Sequence, residues 1–330
     1  MFSFIENWPV YLAAIALLVG FVFLVKGADF FVEGSSSVAK KFNVPSIIIG
    51  LTIVAMGTSL PEAAVSIAAS IAGENSLAIS NAIGSNIFNM MIVIGVCASM
   101  TTVAVQKETL KKDFPFSVVC AVLLLVLGAI GMVLGHIDGI ILLILFIGFI
   151  ATLVRAALKA RKAGQEVEDE EVAHMEILPM WKSILFIVGG GLAIVVGGDV
   201  VVESATNVAL TLGMSETLVG LTIVSVGTSL PELVTSVVAA RKNEVDMALG
   251  NAIGSNVFNI LVVLGIAASI SPVTFIMENI YDICVLVAFS LIVWVMAWTK
   301  RKLEKKEGFI MILLYVGYLA YILARNYLFV

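Results

Sequence analysis

The sequence predicts an all-α membrane protein with ten transmembrane helices, arranged as two inverted-topology repeats of five helices in which helices two and seven are broken. Three observations lead to this fold: an apolar composition, a one-sided distribution of basic residues, and an internal sequence repeat. Of the 330 residues, 60% are hydrophobic and 13% are charged, whereas soluble domains contain about 45–50% apolar residues. This composition excludes a nucleic-acid-binding protein, a secreted protein and an ordinary cytosolic enzyme, and it makes the lipid bilayer the expected environment.

Ten apolar segments are each long enough to cross a bilayer, which takes about 20 helical residues. Polar residues, glycine, proline and asparagine separate them, and they lie at roughly residues 9–38, 46–72, 77–104, 114–134, 138–160, 181–210, 215–240, 246–271, 280–299 and 308–328. The N-terminal stretch lacks the basic start and small-residue cleavage site of a signal peptide, so we expect the first segment to remain as a span.

The basic residues between the segments predict the orientation. Seventeen of the 19 lysines and arginines lie in the loops that follow segments one, three, five, seven and nine, and the even loops carry none. Because loops rich in lysine and arginine stay in the cytoplasm, both termini are predicted to lie outside the cell membrane. The hydrophilic linker 161–180, with its acidic run, is then a cytoplasmic spacer.

An internal repeat joins the two halves of the sequence. GLTIVAMGTSLPE at 50–62 recurs as GLTIVSVGTSLPE at 220–232, and NAIGSNIFN at 81–89 recurs as NAIGSNVFN at 251–259. The first repeat is 1–160 (motif 50–89), and the second is 181–330 (motif 220–259). Since each copy holds five spans, the second enters the membrane upside down. Inverted repeats with a site at their midplane interface are typical of secondary transporters.

Each repeat carries one acidic residue near the middle of an apolar segment, Glu62 or Glu232. Placing a lone charge there costs at least about 2.5–3.5 kcal/mol, so such residues are usually functional. The preceding prolines, Pro61 and Pro231, remove a helical hydrogen bond and release backbone carbonyls. Because irregular backbone inside a bilayer is tolerated where it lines a cavity, we expect carbonyl, hydroxyl and carboxylate oxygens to meet at both positions.

Small polar residues share helix faces with these acids. Spacings of three and four residues place them in stripes, which comprise Ala55, Thr58, Ser59 and Ser66 beside Glu62; Ser225, Thr228, Ser229 and Ser236 beside Glu232; and Asn81, Ser85, Asn89, Asn251, Ser255 and Asn259 on segments three and eight. Individually, Asn81 or Ser66 fits simple helix packing. Together the set offers oxygen and amide donors without His, Cys or Met, which favours alkali and alkaline-earth cations. Calcium, which takes 6–8 oxygens, fits well.

Charge then suggests a rule for transport. A site with two carboxylates resists closure when empty, because burying unpaired charge is costly. Filled with Ca²⁺ or several monovalent ions, the same site is close to neutral and tolerates closure. Obligatory exchange follows, with the two halves rocking around a fixed site. We expect transported ions and no cofactor.

GTSLPE at 57–62 and 227–232, together with NAIGSN at 81–86 and 251–256, resembles the two α-repeats of the cation/Ca²⁺ exchanger superfamily, specifically its Na⁺/Ca²⁺ antiporters. The resemblance implies that Glu62, Glu232 and the backbone oxygens of Thr58 and Thr228 bind Ca²⁺. It implies Na⁺ sites and cavity lining from Ala55, Ser59, Ser85, Asn89, Ser225, Ser229, Ser255 and Asn259. Some relatives have Asp at position 259, so Asn259 removes one negative charge here.

Two other functions are compatible with parts of this pattern. An antiporter of the same fold that couples Ca²⁺ to H⁺ is one alternative, because a buried glutamate can bind a proton. An intramembrane hydrolase using Ser59 or Ser229 is the other. GTSLP lacks the last glycine of a GxSxG elbow, and neither His136 nor His174 lies near it in the sequence, so we expect no enzymatic activity. The oligomeric state and the roles of Asp29, Glu33, Asp199 and Glu203 are left open.

Overall fold

The computed structural model describes residues 5, 8–73, 75–162, 177–214 and 225–328, and over these ranges the chain is almost entirely helical. In chain order the helices are α1 (Val10–Phe42), α2 (Ser46–Thr58), α3 (Leu60–Ala72), α4 (Asn75–Phe88 continuing through Asn89–Val93 and Ile94–Met100), α5 (Thr109–Asp113 continuing through Phe114–Ala129), α6 (His136–Lys162), α7 (Met180–Thr211), α8 (Ser225–Gly227), α9 (Leu230–Arg241), α10 (Val245–Phe258 continuing through Asn259–Val263 and Leu264–Ile270), α11 (Met277–Lys300) and α12 (Lys305–Leu328).

Within the described ranges, eight helices are long and apolar enough to cross a membrane, namely α1, α4, α5, α6, α7, α10, α11 and α12. The pair α2 and α3 passes the same test together and is bent by 50°, which raises the number of candidate spans to as many as nine. The protein is therefore an all-helical membrane protein. Residues 215–224, which begin the predicted seventh segment, and residues 163–176 of the predicted linker lie outside the described part of the chain.

Several helix boundaries differ from the sequence-based ranges, among them the end of α1 and both ends of α5, which stops at Ala129 rather than at residue 134. Helix α1 continues past residue 38 to Phe42, because Lys40 and Lys41 in its last turn are favourable at a helix C-terminus. Asn43 then ends it in a left-handed conformation, with φ of 50°. Helix α5 begins at Thr109 rather than at residue 114, so its first turn includes the basic residues of the preceding loop.

Two short antiparallel strand pairs connect the halves of the molecule. Strand β1 (Val103–Ala104) pairs with β4 (Lys302–Leu303), and β2 (Val133–Leu134) pairs with β3 (Val273–Thr274). Each pair thus joins a loop of the first half to a loop of the second. Pair β1–β4 brings together two lysine-rich loops, whereas pair β2–β3 joins two loops without basic residues. Loops with the same predicted sidedness therefore lie together.

Helices α2 and α10 cross at two facing glycines. A Cβ atom on Gly50 would lie 2.6 Å from the carbonyl oxygen of Met247, and a Cβ atom on Gly250 would lie 2.6 Å from that of Ile47. Only glycine allows backbones to approach this closely. Since the whole of Val245–Phe258 is buried, α10 is a central helix, and the crossing places the break between α2 and α3 beside its polar residues.

Candidate cation-binding site

Glu62 and Glu232 lie in the first turns of α3 and α9, and both side chains have 0% exposure. Each helix starts at a break in the backbone, with Ser59 or Ser229 at the N-cap in a non-helical conformation. Proline is accommodated in the first turn because the N–H that it lacks would have no helical acceptor there. The partial positive charge of a helix N-terminus also stabilises a carboxylate in this turn.

The two carboxylates are held by hydrogen bonds that cross between the halves of the protein. The Ser59 hydroxyl donates to Oε1 of Glu232 at 2.7 Å, and the Ser229 hydroxyl donates to Oε1 of Glu62 at 3.1 Å. Ser255 makes a longer contact of 3.5 Å with the same oxygen of Glu232. Two acids that are 170 residues apart in sequence thus share one buried site.

An amide network supports each glutamate. Asn81 donates from Nδ2 to the hydroxyl of Ser66 at 2.9 Å and to the carbonyl of Glu62 at 3.3 Å, and its Oδ1 accepts a hydrogen bond from Thr228 at 3.4 Å. Asn81 therefore ties α4 to the backbone of α3 at the acidic residue, with Ser66 as a second acceptor on α3. The second half repeats the arrangement, with Asn251 donating to Ser236 at 2.9 Å and to the Glu232 carbonyl at 3.3 Å, and accepting from Thr58 at 3.1 Å.

A third set of contacts, between Asn86 and Asn256, was not singled out by the sequence analysis. Asn86 donates to the carbonyl of Asn256 at 3.2 Å, and Asn256 donates to that of Asn86 at 3.1 Å. Asn259 adds a bond from its Nδ2 to Oδ1 of Asn86 at 3.1 Å. Both asparagines end the repeated NAIGSN motif, so the repeat itself carried the signal. These bonds join α4 to α10 next to the carboxylates.

Some of the buried polar atoms without a hydrogen-bond partner among the described residues belong to the predicted site, namely Oε2 of Glu62, Oε2 of Glu232, Oγ of Ser85, Oδ1 and Nδ2 of Asn89, and Oδ1 of Asn259, while others, such as the hydroxyls of Ser35, Ser36 and Thr109, lie elsewhere. Leaving such a group unsatisfied costs about 1–3 kcal/mol, and more when it is charged. All except one are oxygens, the donors that alkali and alkaline-earth ions prefer. Over the described ranges, no three His, Cys, Asp or Glu side chains come together as a group that could hold a metal ion, so hydroxyl, amide and backbone oxygens must supplement the two carboxylates. The chemistry of the site therefore fits a hard cation.

The remaining predicted residues are placed as follows. Ala55 and Thr58 are buried at the end of α2, and the Ala55 carbonyl accepts a hydrogen bond from the Ser59 amide at 3.1 Å. Thr228 is half-buried beside the break before α9. The side chain of Ser225 lies outside the described part of the structure.

A cavity of about 660 Å³ lies between α3 and α7 and reaches the residues next to the acids. Pro61 lines it on the α3 side, Asp199 and Glu203 line it on the α7 side, and Thr228 and Pro231 also belong to its lining. Since Pro61 and Pro231 directly precede Glu62 and Glu232, the cavity reaches the residue before each acid, whereas both carboxylates themselves are fully buried.

Comparison with known proteins identifies the family. The sodium/calcium exchanger protein family matches residues 12–155 and 182–324, which together cover most of the chain. This chain belongs to the sodium/calcium exchanger family. The two matched segments correspond to the two halves that contribute one glutamate each to the site.

Individual relatives match over most of their length. Sodium/calcium exchanger MaX1 of Methanosarcina acetivorans is 34% identical over 336 residues, covering 92% of this chain and 96% of the relative. Inner membrane protein YrbG of Escherichia coli is 36% identical over 271 residues, covering 79% and 81%. Among solved structures, the sodium-calcium exchanger NCX_Mj soaked with Na⁺ and Sr²⁺ has 33% identity and a TM-score of 0.81, covering 94% of this chain and 99% of that one.

The crossed serine bonds give a first prediction for this exchanger-family protein. Ser59→Ala removes the 2.7 Å donor to Glu232, and a hydrogen bond to a charged group is worth about 1.5–3 kcal/mol. We expect the apparent affinity for the transported divalent cation to fall about tenfold, measured as the concentration dependence of initial uptake into proteoliposomes. Ser99→Ala is the control, because that hydroxyl bonds only to the Val96 carbonyl of its own helix. Equal affinities for the two variants would contradict a positioning role for Ser59.

Proposed function

We propose that this protein is a secondary active antiporter that exchanges Ca²⁺ for Na⁺ across the membrane by alternating access. The observation that carries this proposal is the convergence of Glu62 and Glu232, fully buried and each bound by a serine from the opposite half. Two carboxylates balance the charge of one Ca²⁺ or of two Na⁺. The family relationship supports the same ions, since MaX1 and NCX_Mj are named sodium/calcium exchangers.

In this proposal the Ca²⁺ ligands are the carboxylates of Glu62 and Glu232 and the backbone oxygens of Thr58 and Thr228. The free Oε2 atoms of both glutamates support their assignment. Sodium sites and the cavity lining would draw on Ala55, Ser59, Ser85, Asn89, Ser225, Ser229, Ser255 and Asn259. The unsatisfied atoms of Ser85, Asn89 and Asn259 favour this role.

We further propose ten spans in two inverted repeats, with broken second and seventh helices. The two strand pairs support this arrangement, because each joins one strand of the first half to one strand of the second. Strand β1 pairs with β4, and β2 pairs with β3. The bend of 50° between α2 and α3 supports the broken second helix. With lysine-rich loops inside, both termini lie outside the cell membrane and the linker 161–180 is cytoplasmic.

Coupling follows from the cost of burying charge. With the site empty, closing the cavity would leave two repelling carboxylates away from water, which is strongly unfavourable. Ions remove that cost, so only a loaded protein changes its orientation, and each passage of Ca²⁺ requires a return with Na⁺. Rocking of one half against the other around the site would produce the two orientations.

Replacing Na⁺ tests the proposal against the alternative of H⁺ coupling. Proteoliposomes loaded with Ca²⁺ are diluted into NaCl or choline chloride at one fixed pH, and Ca²⁺ release is recorded. We expect rapid release in NaCl and loss of nearly all of it in choline, because choline is too large for an oxygen-lined cation site. Release that persists in choline and follows an imposed pH gradient would instead assign the H⁺-coupled mechanism. Liposomes without protein give the leak.

A further inference from the structure

A lysine from the second half is bound to the first helix of the protein. Lys242, which follows α9 directly, places its Nζ 2.8 Å from Oδ1 of Asp29 and 3.0 Å from the Asp29 carbonyl oxygen, to which it donates a hydrogen bond. The same Nζ lies 3.9 Å from Oε2 of Glu33, one turn further along α1. The ammonium group of Lys242 therefore contacts two carboxylates and a carbonyl of α1.

The environment makes this contact stronger than an ordinary surface ion pair. The Lys242 side chain is 23% exposed, and those of Asp29 and Glu33 are 39% and 40% exposed. Water screens the attraction between fully exposed charges, whereas partial removal from water increases it. Lys26 also approaches Asp29, at 3.9 Å, but its side chain is 67% exposed.

The two halves of the protein differ at the positions that correspond to this ion pair. Asp199 and Glu203 occupy the positions of α7 that correspond to Asp29 and Glu33, and they line the cavity between α3 and α7. The residue that corresponds to Lys242 is Ala72, at the end of α3. On one side, then, α1 and α9 are joined through a lysine, and on the other side a cavity of about 660 Å³ separates α7 from α3.

We propose that Lys242 is a positioning residue for ion exchange, whose ion pair with Asp29 and Glu33 holds α1 against α9 and keeps that side of the cation site closed. The inference rests on the proposed function, because opening the α1–α9 side is a step of alternating access. Separating these helices breaks the pair, so the pair stabilises the state in which the α3–α7 side is open. A contact that is made in only one of two states favours that state, and the free energy of the contact sets how far the populations shift.

Reporter thiols on corresponding residues measure which side is open. Val202 lines the open cavity, whereas its counterpart Val32 is 0% exposed on the closed side. Val32→Cys and Val202→Cys are made separately with Cys284→Ser, which removes the exposed native cysteine. The rate of reaction with a charged maleimide is then measured for protein in lipid nanodiscs without Ca²⁺, where the reagent reaches both sides.

We expect Lys242→Gln to raise the labelling rate of Val32→Cys about threefold to tenfold and to lower that of Val202→Cys, in line with the loss of a partly buried ion pair. Lys242→Arg should restore the original rates, and Asp29→Asn should reproduce the shift. Lys26→Gln is the matched control and should change neither rate, because the Lys26 side chain is 67% exposed and its Nζ lies 3.9 Å from Asp29.

Two results would overturn the proposal: unchanged rates at both reporters, or a rise at both, which indicates a loosened fold. The labelling does not depend on Na⁺-driven flux. Opposite shifts at the two reporters together with absent Na⁺-driven Ca²⁺ exchange would therefore support the role of Lys242 and reject Na⁺/Ca²⁺ exchange as the function.

Discussion

Glu62→Gln and Glu232→Gln are each expected to lower Na⁺-driven Ca²⁺ flux at least about 100-fold. Glutamine keeps the size of the side chain and leaves an oxygen to accept the serine hydrogen bond, but it removes one of the two negative charges at a site with 0% exposure. One carboxylate cannot balance a divalent ion in a buried site. The loss of about 2.7 kcal/mol that a 100-fold effect requires is within the cost of leaving a buried charge uncompensated.

Calcium uptake into Na⁺-loaded proteoliposomes measures this effect, with equal amounts of reconstituted protein. Glu304→Gln is the control, since Glu304 lies in a loop and pairs with Lys300 and Lys302 at 2.7 Å. Thermal unfolding and gel filtration show whether each variant folds. If Na⁺-driven flux survives in both buried variants, the assignment of the two glutamates as ion ligands is wrong.

Gly50→Ala is expected to destabilise the protein strongly and to abolish exchange as well. The added methyl group would lie 2.6 Å from the Met247 carbonyl and 3.0 Å from the Gly250 Cα, and neither backbone atom can rotate away. Overpacking a core costs about 1–3 kcal/mol even where side chains can adjust. Here α2 must move away from α10, which also separates the serine–glutamate bonds that join the halves at the site.

The measurement is the melting temperature in detergent together with Ca²⁺ flux. Gly189→Ala is the matched control, because a methyl group on Gly189 meets no described atom within 4 Å. Its neighbour Gly190, by contrast, would place a methyl group 2.7 Å from the Gly27 carbonyl. A melting temperature and flux for Gly50→Ala equal to those of Gly189→Ala would contradict the close crossing of α2 and α10.

Much of the site could be anticipated because its residues occur twice. The repeat marked Glu62 and Glu232 as equivalent, and helical spacing put Ser59 and Thr58 near the first acid before any contact was known. The apolar runs and the polar residues that separate them gave the positions of most spans. An acidic residue in the middle of an apolar segment can be recognised from the sequence, because the free-energy cost of placing it in the bilayer arises whatever residue it contacts.

Other contacts carried little or no signal along the chain. Nothing near Lys242 in the sequence points to Asp29, 213 residues away, and a lysine after a span reads simply as a cytoplasmic loop residue. The repeated NAIGSN motif marks Asn86 and Asn256 as equivalent, but it does not show that they bind each other, because an asparagine in an apolar helix is equally compatible with packing. Sequence spacing indicates which residues share a face of one helix and leaves open what lies opposite.

The amino-acid sequence alone determined that this chain is a membrane protein, that it is built from a duplicated unit, and that each unit contributes one acid among oxygen donors, since composition and periodicity are properties of the local chain. Only the tertiary structure decided that each serine binds the glutamate of the other half, and that a cavity lies beside α7 while a lysine joins α1 to α9. These features depend on how two nearly identical units pack against each other. Two halves with the same motifs can pack differently, because a difference such as Lys242 in one half and Ala72 in the other has an effect only once the helices are in contact.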